Sequence, residues 1–248
     1  MARRRFFADW TGEGRAEIRG ENAHHLARVL RVQPGQVFEI AGGEGVFLGT
    51  VVDVRKELVS FELTESLGGG VALPETVLYL ALIKFEAFEW AVEKATELGV
   101  TRIVPVEAQR SDSGLLAGAV KRAERWRKIA REASEQSRRS AVPEIGGPVK
   151  LAKVLGEAFD SKVWLEERPG AAPLLEVLRP GRLALAIGPE GGWTDGERAM
   201  LGEQGWSAAT LGSSILRAET AVCAALAVAG AWRMGPGGQE GVRGRDEP

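Results

Sequence analysis

Val77-Leu78-Tyr79-Leu80-Ala81-Leu82-Ile83 is a nearly continuous apolar run. A strand covered on both faces reads this way, whereas a strand with one wet face alternates. A helix is expected directly after it, because Phe88, Ala91, Val92, Ala95 and Leu98 recur at i, i+3, i+4, i+7 and i+10. Gly99 is placed to end that helix in a left-handed conformation. Arg102-Ile103-Val104-Pro105-Val106 is the next strand. Strand, helix and strand in this order imply a parallel, right-handed crossover. The alternation continues with a helix over 118–137, a strand over 162–166, a helix over 172–178, a strand over 182–187, a helix over 195–204, a strand over 208–211 and a helix over 218–233. This part of the chain is therefore expected to be α/β with a mostly parallel sheet.

Upstream the pattern differs. Residues 1–67 carry short alternating runs at 16–19, 37–40, 46–54 and 59–63, with Pro34-Gly35 and Gly42-Gly43 as punctuation. One short helix fits Ala23 to Leu30, where Leu26, Val29 and Leu30 share a face. The sum is a small barrel-like domain over residues 1–70, broken off by Gly68-Gly69-Gly70. The α/β domain then spans 74–234, and the Gly-, Pro- and charge-rich stretch 235–248 is expected to be a disordered tail.

Bulk properties narrow the class. The 248 residues are 44% hydrophobic, enough for a sizeable core. The apolar stretch 221–232 is too short to span a bilayer, and Arg3-Arg4-Arg5 is not followed by the apolar segment of a signal peptide. The single cysteine, Cys223, excludes an internal disulfide framework and favours a reducing, cytoplasmic setting. The adjacent pair His24-His25 points two ways on a helix, so no metal site is expected. The net charge of -2 conceals segregation, since residues 121–139 hold eight Lys or Arg against three acids. A bias to one sign favours a phosphate-facing surface over a merely solvated one.

Two segments carry the chemistry. Gly188-Pro189-Glu190-Gly191-Gly192 follows the strand ending at Ile187, where ligands of open α/β sheets bind. Glycines let backbone amides approach a ligand closely. Thr194 is placed to cap the next helix, with Glu197 as its reciprocal partner. The second segment, residues 211–220, leaves the last strand and carries Ile215-Leu216 directly before Arg217, Glu219 and Thr220. Apolar side chains in a loop imply packing under something or around an apolar ligand part. Neither segment matches a phosphate-binding fingerprint, which argues against an NTPase or a nicotinamide enzyme.

The ordered set of residues resembles the SPOUT-superfamily methyltransferases that modify N3 of a uridine in bacterial 16S ribosomal RNA, the RsmE family. The resemblance rests on Arg5-Phe6-Phe7, His25-Leu26, Val29-Leu30-Arg31, Gly35, Lys84, Glu89 and residues 94–100. It continues through Pro105, Arg125-Trp126, Ile129, Glu132-Ala133, residues 135–137, Arg139 and Pro143. Its strongest parts are residues 187–192, Leu211-Gly212, Ile215-Leu216-Arg217 and Glu219-Thr220-Ala221.

This resemblance implies an N-terminal PUA-like β-barrel that binds RNA, a C-terminal α/β domain with a trefoil knot, and a homodimer. It implies S-adenosyl-L-methionine as cofactor, leaving as S-adenosyl-L-homocysteine, and 16S rRNA or the small ribosomal subunit as partner, with neither membrane nor metal. It assigns Ile187, Gly188, Pro189, Glu190, Gly191, Gly192, Leu211, Gly212, Ile215, Leu216, Arg217 and Thr220 to the cofactor, with Leu165 and Glu166 as further contacts. Arg217 is expected to supply charge in the reaction, and Glu190 or Glu219 to accept a proton. The alternative, that Glu219 only holds its loop, stays open at this point. Arg3, Arg4, His25, Arg131, Gln136, Arg138 and Arg139 are expected to meet RNA. Two other readings stand beside this one: a SPOUT enzyme for another RNA base, and a non-catalytic RNA-binding or ribosome-assembly protein.

Overall fold

The structure, a computed structural model, describes residues 3–43, 45–68 and 74–235. The expected break at Gly69-Gly70 and the expected tail after Gly235 lie outside the described residues. The chain forms two compact units, one of residues up to 72 together with 131–142, the other of 73–130 and 143 onward.

The first unit contains β1 (Arg5–Phe7), β2 (Trp10–Gly12), β3 (Arg15–Arg19), α1 (Gly20–Arg28), β4 (Val37–Gly42), β5 (Gly45–Arg55) and β6 (Leu58–Ser66). They make one curled six-stranded sheet in the order β1-β4-β5-β6-β3-β2. β1 and β4 are parallel and every other pair is antiparallel. Register shifts in β5 against β6 supply the irregularities that bend a sheet. Phe6, Ile18, Leu26, Ile40, Val51 and Phe61 fill its interior, which accounts for the alternation in the sequence. This is the PUA-like fold. Helix α1 runs three residues earlier than its apolar stripe predicts, and Leu30 lies beyond its end.

The second unit contains β7 (Thr76–Ala81), α2 (Phe85–Glu97), β8 (Arg102–Glu107) and most of α3 (Leu115–Gln136). There follow β9 (Glu144–Ile145), β10 (Val149–Lys150), β11 (Ser161–Leu165), β12 (Ala172–Pro173) and α4 (Leu174–Val177). β13 (Leu183–Ile187), α5 (Asp195–Glu203), β14 (Ser207–Thr210) and α6 (Ala218–Met234) complete it. The eight-stranded sheet runs β10-β8-β7-β13-β11-β14-β12, with β9 beside β8, and its pairs are parallel. β7 is buried at all six positions, as its unbroken apolar run requires. Leu82 and Ile83 stay buried but leave the strand, turning the chain toward α2. Gly99 ends that helix at φ +92°. Short β9, β10 and β12 carry too few residues for an apolar period and were not legible in the sequence.

Candidate functional site

β7, β13, β11 and β14 are neighbours and parallel, so their carboxyl ends share one edge. A cavity of about 580 Å³ opens at that edge. Lys84, Glu86 and Ala87 line it after β7, residues 187–190 with Gly192 and Trp193 after β13, and residues 165–167 after β11. Residues 209–219 with Ala221, from β14 into the first turn of α6, close it.

The loop after β13 is tightly determined. Gly192 has φ +67°, and a Cβ there would lie 2.5 Å from a Glu167 carboxylate oxygen. A Cβ on Gly188 would lie 3.0 Å from the Trp193 ring. That ring is buried beneath the loop, and its Nε1 donates to the Leu165 carbonyl at 3.2 Å. Thr194 caps α5 as expected: its Oγ1 accepts from the Glu197 N–H at 3.3 Å, and Glu197 Oε2 accepts from the Thr194 N–H at 2.8 Å. The other Glu197 oxygen accepts from the Gln109 N–H at 2.8 Å, and Arg110 Nη1 donates to the Gly191 carbonyl at 2.7 Å. The loop after β8 thereby braces the loop after β13.

Glu166 lines the cavity yet is not a free acid. Its carboxylate meets Arg198 Nε at 2.5 Å and Nη2 at 3.0 Å, and accepts from the N–H groups of Glu167 and Arg168. Burial pushes its pKa up, but the Arg198 guanidinium and these donors outweigh that and hold it down at about 2. The segment after β14 is the reverse case. Ile215 is 81% exposed and Leu216 37%, an apolar lip with nothing over it in the isolated chain.

Among the cofactor residues named from sequence, Leu165, Glu166, Ile187, Gly188, Pro189, Glu190, Gly192, Leu211, Gly212, Ile215, Leu216 and Arg217 line this one cavity. Glu219 lines it too, so all three residues assigned to catalysis, Arg217, Glu190 and Glu219, face the same space. Gly191 and Thr220 sit beside it, the Gly191 carbonyl being turned to Arg110.

The basic residues fare differently. In the first unit Arg138 and Arg5 both pair with Glu39, which is 5% exposed. Arg131 donates to the Phe7 carbonyl and pairs with Asp9 at 3.3 Å. Arg139 is half-buried, donates to the Ala141 carbonyl at 3.2 Å, and burial lowers its pKa. Arg3, Arg4, His25 and Gln136 are exposed. In the second unit Arg122 and Arg125 share Glu89, and Arg127 pairs with Glu124. Much of the one-sign run is thus compensated by acids distant in sequence, which local charge counting cannot see.

Sequence reasoning missed Lys84, Glu86 and Glu167 as lining residues, and Arg198 and Arg110 as supports, while Ser213 and Ser214 fall in the segment it singled out. Lys84 had a signal: it is the first cation after a buried strand that ends at the ligand edge. Among the described residues no cluster of His, Cys, Asp or Glu is suited to a metal, and no helix is long and apolar enough to cross a membrane.

Comparison with known proteins defines the class. Residues 72–230 match the family model described as an RNA methyltransferase domain, and residues 18–64 that of an RNA methyltransferase PUA domain. The chain is 36% identical over 212 residues to the ribosomal RNA small subunit methyltransferase E of Synechocystis sp., covering 82% of this chain and 69% of that one. It is 34% identical over 223 residues to the protein of the same name from Bacillus subtilis, covering 84% and 87%. The solved ribosomal RNA small subunit methyltransferase E of Neisseria gonorrhoeae, bound to S-adenosyl methionine, superposes with a TM-score of 0.82 at 28% identity over 94% of this chain and 98% of that one. A Legionella pneumophila methyltransferase in complex with the same cofactor gives 0.83 at 28% identity over 93% and 98%. The chain belongs to the RNA methyltransferase family, and within it to the ribosomal RNA small subunit methyltransferases E.

Proposed function

We propose that the chain is an S-adenosyl-L-methionine-dependent methyltransferase that modifies N3 of a uridine in 16S ribosomal RNA. It acts in the cytoplasm as a homodimer, without a metal, with residues 1–70 as the RNA-binding barrel and 74–234 as a knotted catalytic domain. The observation that carries the reading is the cavity at four parallel strand ends, walled by two glycine-containing loops.

The residues present fit the cofactor. A Cβ at Gly188 would press on the Trp193 ring and one at Gly192 on the Glu167 carboxylate, so glycine lets this loop keep its close course along the cavity and offer backbone amides to the adenosyl group. Leu165, Ile187, Leu211 and Leu216 offer apolar surface to the adenosyl group. When bound, the cofactor supplies an electrophilic methyl group on a positive sulfur. The protein's part is to hold the acceptor nitrogen in line with that carbon. Ile215 and Leu216 would exclude water once covered, either by RNA or by the second protomer. The exposed Trp90 and Met234 on α2 and α6 supply further apolar area for the dimer contact. Arg217, at the head of α6 and with no acid at ion-pair distance among the described residues, supplies positive charge, and Glu190 or Glu219 accepts the N3 proton.

Incubation of the purified chain with labelled cofactor and unmodified small subunits, against free 16S rRNA, followed by mapping of the methylated base, tests the reading. Methylation of no RNA, together with no calorimetric heat on cofactor addition, would support the non-catalytic alternative. Methyl groups on another base would transfer the chain to a different substrate. Retained turnover in both Glu190→Gln and Glu219→Gln, with intact cofactor affinity, would exclude a carboxylate base.

A further inference from the structure

Lys84 precedes α2, is exposed and lines the cavity. A cation at a helix N-terminus faces the positive end of the macrodipole, which costs stability and gains none. Among the described residues its ammonium has no acidic partner within ion-pair distance. Lys94, on the same helix, is by contrast held by Glu93 at 2.7 Å and Glu97 at 2.8 Å. Folding therefore gives no account of Lys84, and its surroundings do.

The sheet order separates two flanks of the cavity. The loops offered to the cofactor follow β13, β11 and β14, whereas Lys84 follows β7, on the other side of β13. On that flank the first turns of α2 and α6 both line the cavity, and neither has a side-chain cap. Two helix N-termini, Lys84 and Arg217 thus converge on one space. The acids facing it are Glu86 on α2, Glu167 after β11, Glu190 after β13 and Glu219 on α6; Glu166 is neutralised by Arg198.

We propose that Lys84 is a catalytic residue that holds a carbonyl oxygen of the acceptor base, next to the ring nitrogen that loses its proton. This rests on the reading of the preceding subsection. The nitrogen gives its proton to a carboxylate or to water, and the negative charge spreads onto the carbonyl oxygen, where the ammonium donates a hydrogen bond. The nitrogen then uses its freed pair to bond the methyl carbon. The carbon–sulfur bond breaks, and its pair returns to sulfur. A donor aimed at charge that develops only during reaction lowers the barrier without tightening cofactor binding.

The test compares wild type, Lys84→Met, Lys84→Gln and Lys84→Arg in the full-length chain on unmodified small subunits. At neutral pH the Met and Gln variants are expected to lose roughly 10²-fold in kcat, the scale of one removed oxyanion donor. Calorimetric affinity for S-adenosyl-L-methionine should stay at the wild-type value, and the thermal midpoint should hold or rise, because a cation that opposes the helix dipole is removed. The deficit should narrow as pH rises, because the base then ionises unaided, and Lys84→Arg should recover most of the rate. An unchanged kcat overturns the proposal, as does a loss equal at every pH. A fall in cofactor affinity that accounts for the lost rate also overturns it, placing Lys84 on the cofactor instead. The base methylated by wild type is mapped first, so a wrong substrate assignment is seen independently of any variant.

Discussion

Glu166 and Arg198 meet at 2.5 Å with 7% and 12% of their side chains exposed, on the wall of the cavity that the second unit builds. The pair does two jobs. It removes an acid from the cofactor's surroundings, and it pins α5 to the end of β11, since Arg198 also donates to the Trp193 carbonyl. Breaking it by Arg198→Met strands a buried carboxylate, which typically costs about 3–5 kcal/mol. Urea unfolding should show that loss, and Glu166→Gln on the same background should recover part of it.

The same pair sets an acid limit. Glu166 has its pKa depressed from 4.5 to about 2 in the folded chain. Its contribution is therefore complete above the unfolded value and disappears as pH falls from 4.5 toward 2. Wild type should lose stability over that interval more steeply than Glu166→Gln, as followed by thermal midpoints. Parallel curves would show that the pair carries no such linkage.

Gly192→Ala should damage cofactor binding. The residue sits at φ +67°, where a side chain costs about 1–2 kcal/mol, and its Cβ would meet Glu167 at 2.5 Å. Loop displacement should weaken S-adenosyl-L-methionine binding at least about tenfold, the equivalent of about 1.4 kcal/mol. Calorimetry measures it directly, and a Gly196→Ala control, whose Cβ meets nothing within 4 Å, should bind as wild type.

Glu197→Ala removes both the α5 cap and the bond to the Gln109 N–H. Loss of a cap costs about 0.5–2 kcal/mol, and the buried N–H left unpaired adds to it. Chemical denaturation should show a deficit above that of Thr194→Ala, which removes the capping hydroxyl and leaves Gln109 paired. Equal deficits would mean that the brace from the loop after β8 contributes nothing.

RNA affinity should separate the arginines by their partners. Arg3→Ala and Arg4→Ala remove exposed cations and should each reduce the salt slope of binding by about 0.7–0.9. Arg138→Ala should leave the slope unchanged and lower stability, because its charge is committed to Glu39. Filter binding across salt concentrations, with melts alongside, distinguishes the two outcomes.

These arginines also mark how far the sequence could be read. The long elements were legible because burial imposes a period: β7 wears its two covered faces as an unbroken apolar run, and α2 repeats its inner face. The two cavity loops were legible because Gly188, Gly192 and Ile215 are unusual where they stand. Long-range pairs leave no such trace. Nothing near Arg138 in sequence announces Glu39, nor does anything near Arg198 announce Glu166, 32 positions away. A run of cations therefore read as a surface for phosphate, although at least five of the eight meet acids in the fold. Lys84 was named for the resemblance alone and not for the site, since its place at the cavity shows only once β7 and α2 are set beside the two loops.

Arg233 sits near the far end of α6, where it donates to Thr76 Oγ1 and to the carbonyls of Glu75 and Gly181. The head of that helix walls the cavity, while its foot is tied to the starts of β7 and β13. During synthesis, then, a ribosome must release residue 233 before the helix is secured at both ends. A nascent chain that stalls just short of that point would hold every strand of its sheet and every residue that lines the cavity, with the last helix fastened at its head alone.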